Sequence, residues 1–81
     1  MYRLYTESKP NLAEILGRYV HAFTLIEAVG CWNLQIEKSA IIELADISLE
    51  TAKQIAAEIK RLNSQEAVLI AEISERTTLI V

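Results

Sequence analysis

Two hydrophobic periods alternate along this chain, and their order limits the fold more than any other feature of the sequence. Tyr2 to Glu7 sets Tyr2, Leu4 and Thr6 against Arg3, Tyr5 and Glu7, the period of two expected of a strand. After SKP the period lengthens, and Leu12, Ile15, Leu16, Tyr19 and Val20 recur at the steps of an amphipathic helix. Asn11 predicts its cap, Glu14 completes an asparagine version of the capping box, and Pro10 ends the preceding strand. Glu14, Arg18 and His21 fall on the wet side of that helix. From Phe23 the strand period returns in FTLIEAVGCW, residues 23–32, where Gly30 marks a bulge or a close backbone approach.

NLQIEK links this strand to SAIIELA, residues 39–45, in which Ala40, Ile42 and Leu44 oppose Ser39, Ile41 and Glu43. The two strands predict a hairpin, although the connection lacks the Asn-Gly or Asp-Gly signal of a tight turn. A second helix follows, with Ser48 as cap, Glu50 in its first turn and an apolar stripe of Leu49, Ala52, Ile55, Ala56, Ile59 and Leu62. Lys60 and Arg61 suit its negative end, and Asn63 is the residue expected to turn left-handed and stop it. QEAVLIAEI, residues 65–73, reads as a fourth strand, and TTLIV, residues 77–81, as a short fifth.

The order β-α-β-β-α-β is the ferredoxin-like, split βαβ pattern. It predicts a single α+β domain over residues 1–81, with two helices on one face of a four-stranded antiparallel sheet. Right-handed crossovers put the first and third strands in the centre and the second and fourth at the edges. Two helices cover one face only, yet the fourth strand is apolar on both sides. Ile41, Val68 and Ile70 are therefore expected on the uncovered side. A chain of 81 residues buries only about 60 to 65% of its unfolded surface, and its lone cysteine, Cys31, forms no internal disulfide. Together these features predict a homo-oligomer, dimer or trimer, assembled through the sheet face.

Charge and motif content narrow the function. Eleven acidic against eight basic residues give a net charge of −3, which disfavours nucleic acid as partner. Tyr5 is placed as an RNA-stacking residue would be, but SAIIELA has no aromatic and carries Glu43. The N-terminal MYRLYTESK is too polar for a signal peptide or membrane span, and the single cysteine suits a reducing compartment, so a cytoplasmic protein is expected. His21 reads as a solvated residue at a helix end and Cys31 as an ordinary strand thiol. Glu27, Glu37, Glu43, Glu66 and Glu72 lie in or beside strands and read as solvated or paired carboxylates rather than a metal site. No glycine-rich phosphate loop, HExxH, CxxC or GxSxG is present, and no enzyme, metal or cofactor is expected.

YTE at residues 5–7, FTLIEAVGCW at 23–32, EKSAIIEL at 37–44 and NSQEAVLI at 63–70 resemble a family of small uncharacterised bacterial and phage-type proteins of ferredoxin-like type. More distantly, the hairpin running from Trp32 to Glu37 and Ser39 resembles CutA and PII-like proteins, which implies subunits that assemble through their sheets. NLQI occupies the place of the glycine usual in that hairpin. Within the matching stretches, packing leaves Tyr5, Glu7, Trp32, Glu37, Ser39, Asn63, Gln65 and Glu66 unexplained. Of these, Trp32, Glu37, Ser39 and Glu66 are the expected ligand-binding residues. The function expected is a small oligomeric binding or regulatory module that takes a small molecule or nucleotide at a subunit interface. The alternative is a protein-interaction module or inhibitor acting through its acidic surface.

Overall fold

The computed structural model describes residues 1–74, 78 and 80. Its elements follow the order β1 (Tyr2–Glu7), α1 (Leu12–Gly17), β2 (Thr24–Trp32), β3 (Gln35–Leu44), α2 (Leu49–Leu62) and β4 (Leu69–Glu72). The strands form one antiparallel sheet in the order β2-β3-β1-β4, with β1 and β3 in the centre. This α+β arrangement of four strands and two helices is compatible with a ferredoxin-like fold.

Register decides which residues meet the helices. Leu4 stands opposite Ile42 and Thr6 opposite Ala40, and each of these side chains is buried. Leu12, Ile15 and Leu16 of α1 and Ile55, Ala56 and Ile59 of α2 close over them in a single core. The alternate residues of the same strands, Arg3, Tyr5, Ser39, Ile41 and Glu43, face away and are only half-buried. Arg3 and Glu43 are directly opposite there and form an ion pair of 2.8 Å. Its Glu43 bond first, and Tyr5 second, hold the Arg3 guanidinium above its ordinary pKa.

Several local expectations are corrected. Val68 and Ile70 pack against the core under the helices, because Ile70 pairs with Leu4 and so shares its face; of the three residues expected on the open side, Ile41 alone lies there. The pairing of β4 is shorter than QEAVLIAEI suggests, and Ile73 continues it through exchanged backbone bonds with Met1, its amide donating to the Met1 carbonyl and its carbonyl accepting from the Met1 ammonium. Helix α1 ends at Gly17, with the Tyr19 and Val20 amides turning back onto the Leu16 carbonyl. Asn11 makes no side-chain cap, and its amide instead donates to Asn63 Oδ1 at 2.8 Å, tying the start of α1 to the end of α2. Glu14 pairs with Arg18 rather than with the helix start.

Ser48 does cap α2, accepting from the Thr51 amide at 3.1 Å. At the far end Asn63 keeps a negative φ, and Ser64 takes the left-handed conformation. The fifth strand expected at TTLIV falls on Thr77, Leu79 and Val81, which lie outside the described residues, and on Thr78 and Ile80, which are not in a strand.

Candidate functional site

The hairpin of β2 and β3 is longer than its sequence announces. Residues 35–38, read as part of a link, belong to β3, and the turn is Asn33 and Leu34 alone, with φ of 51° and 64°. Positive φ at both central residues is the twist a two-residue hairpin turn requires. Asparagine tolerates it, whereas leucine is strained there. The β2–β3 register runs without interruption from Thr24 and Glu43 to Trp32 and Gln35. Gly30 is thus not a bulge. It is a close approach, since a β-carbon at Gly30 would collide with Ser39 Oγ.

Beyond the end of β1, where Glu7 pairs with Ser39, the hairpin continues as an arm. The Trp32 indole at the tip of that arm donates to Glu66 Oε2 at 3.1 Å, joining the hairpin to the loop before β4. Between them lies a concavity of about 720 Å3 on the open side of the sheet. Trp32, Glu37, Ser39 and Glu66 all line it, together with Tyr5 and Glu7. Asn63, singled out with them, is absent from this lining and belongs to the contact between helices.

Gln65 has a separate duty at the floor of this region. It is 7% exposed, and its Oε1 accepts from Thr6 Oγ1 at 2.8 Å and from the Glu7 amide at 3.2 Å. Because β4 pairs with β1 only from Tyr2 to Tyr5, the Gln65 side chain serves the Glu7 amide where the strand no longer does. The two accepted bonds fix the orientation of the amide, and Nε2 is left buried without a partner. Glutamine is therefore a structural peg between β1 and the loop that carries Glu66.

The chemistry of the lining is one-sided. Three carboxylates, Glu7, Glu37 and Glu66, stand with two aromatic side chains, Tyr5 and Trp32, and among the described lining residues there is no lysine or arginine. Glu7 meets Lys9 at 3.4 Å from outside the concavity. Such a surface accepts hydrogen bonds and attracts positive charge, while its aromatic faces favour planar or cationic groups. Among the described residues no group of three or more His, Cys, Asp or Glu side chains is arranged to hold a metal ion.

A second hollow of about 530 Å3 lies at the opposite end of the molecule, lined by Met1, Phe23 and Asp46 among others. His21 is here, exposed at the surface, and makes no side-chain hydrogen bond within the described structure.

No protein-family model and no curated protein matches the chain. Among solved structures it is similar to one titled De novo designed protein Foldit4, at 19% identity, with 93% of each chain covered and a TM-score of 0.50. That likeness concerns the path of the backbone and carries no information about the concavity. No helix among the described residues is long and apolar enough to cross a membrane.

Proposed function

We propose that this chain is a ferredoxin-like binding or regulatory module whose ligand sits in the concavity between the hairpin arm and the loop before β4. One observation carries the reading: Trp32 and Glu66, from opposite edges of the sheet, meet across a hollow that Glu37 and Ser39 also line. A half-exposed indole held by a carboxylate offers a flat apolar wall already oriented for stacking. The surrounding carboxylates support a neutral heterocycle or an organic cation over a nucleotide, whose phosphates would meet Glu7, Glu37 and Glu66 with no basic residue in the lining. The same acidity supports a second reading, in which a basic side chain of a protein partner enters the hollow.

Trp32 is the sole tryptophan, so its emission reports on the site directly. Titration with a panel of aromatic amines, matched against nucleoside monophosphates, is expected to shift that emission for amines only. A ligand held at one hundred times its Kd stabilises the fold by about 2.7 kcal/mol, which a thermal shift detects. Trp32→Phe should remove the stacking wall's polar tie, and Glu37→Gln should weaken amine binding. If no panel member alters either emission or melting, the concavity is not a small-molecule site.

A further inference from the structure

The two edges of the sheet differ. The β4 edge has four strand residues, whereas β2 presents nine, from Thr24 to Trp32, a length of about 30 Å. Natural edge strands are usually blunted by charges, proline, a bulge or shortness; β2 carries a single charge, Glu27, and none of the other three. Among the described residues nothing pairs with its outer side. Apolar side chains flank that bare backbone on both faces, with Val29 77% exposed and Leu25 and Ile26 more than a third exposed.

The turn fixes which backbone groups are free. The pair closing a two-residue hairpin loop exchanges both backbone bonds, and pairs alternate from there. Trp32, Gly30, Ala28 and Ile26 therefore bond to β3, while Cys31, Val29, Glu27 and Leu25 direct their N–H and C=O groups outward. We infer that the outer edge of β2 is the seat of a second copy of this chain, paired antiparallel about a two-fold axis at Ala28. The two four-stranded sheets then form one continuous sheet of eight strands.

This register uses the whole strand and sets outward-bonding residues against outward-bonding residues: Glu27 faces the partner's Val29, and Leu25 faces the partner's Cys31. Glu27, the only charged residue in β2, thereby avoids standing directly opposite its own copy. Charge also argues against the alternative of stacking two open faces. Glu7, Glu37 and Glu66 crowd one end of that face, and the Arg3–Glu43 pair lies within it, so a face-to-face contact would dehydrate both the carboxylates and an ion pair. The edge contact leaves both undisturbed, and it is independent of any ligand.

The test uses the full chain in solution. Light scattering is expected to give twice the 9.1 kDa chain mass. Val29→Pro removes an outward N–H without breaking a bond to β3 and should halve that mass while the far-ultraviolet circular dichroism is kept. Val29→Lys, which blunts the edge by charge, serves if the proline variant fails to fold, with the same halving expected. Leu69→Lys, on the open face, should leave the mass doubled. In a Cys31→Ser background, Ala28→Cys should cross-link two chains on oxidation, because a non-hydrogen-bonded antiparallel pair brings α-carbons within about 4.5 Å. A single-chain mass for the native protein, a double mass that survives a folded Val29 variant, or splitting by Leu69→Lys overturns the edge contact. Absence of a cross-link in the Ala28→Cys variant overturns the axis at Ala28.

Discussion

The two faces of the central strands share a backbone yet differ in almost everything else. Leu4, Ala40, Ile42 and Leu44 have no exposed surface under the helices, while one residue along the chain Arg3, Tyr5, Ile41 and Glu43 remain half-open to water. Burying a large aliphatic side chain completely contributes roughly 1.5 to 3 kcal/mol, so the covered face holds the fold together. The open face contributes less to stability, and its side chains are correspondingly free to vary in chemistry. That freedom is where the concavity, its carboxylates and its aromatic wall are found.

The contrast is broken most directly by paired truncations. Ile42→Ala is expected to destabilise by about 2 to 5 kcal/mol, since it opens a cavity in a closed core, while Ile41→Ala should cost about 1 kcal/mol or less. Urea unfolding midpoints read the difference, and equal losses would mean that both faces are packed alike. Gln65→Ala should cost about 1 to 3 kcal/mol, because it strands the buried Thr6 hydroxyl and the Glu7 amide. The same variant should loosen the loop carrying Glu66, visible as faster amide exchange at Glu7. A smaller effect with opposite sign is expected at the hairpin tip. Leu34 is 96% exposed and left-handed, so Leu34→Gly loses little packing and should stabilise by about 1 kcal/mol. A loss of stability there would show that Leu34 is covered in solution, which the bare tip does not provide.

Much of this contrast is legible in the residue order alone. The alternation in YRLYTE and SAIIEL assigns each residue of the two central strands to a side, and the order of periods sets which strands are central. The Ser48 cap follows from local chemistry, because the hydroxyl and the amide it serves are only three residues apart. Trp32, Glu37, Ser39 and Glu66 line one hollow, a convergence produced by pairing between distant segments. Other local signals misled. Asn11 is spaced for a capping box, yet Asn63, distant in sequence, is close enough to take its amide. The hairpin turn lacked its usual signal because Asn33 is followed by leucine, a residue that adopts φ > 0 only under strain.

What the chain determined by itself was therefore periodic and local: strand and helix order, the inward residues of β1 and β3, and the second helix with its cap. Tertiary structure decided everything that depends on register between distant segments. Val68 and Ile70 turn inward because Ile70 meets Leu4, and a slip of one residue would have turned them out. Trp32 meets Glu66, and Gln65 meets Thr6 and Glu7, for the same reason. A strand of period two is apolar on one side or both wherever it lies, but only its neighbour's pairing says which side faces the core.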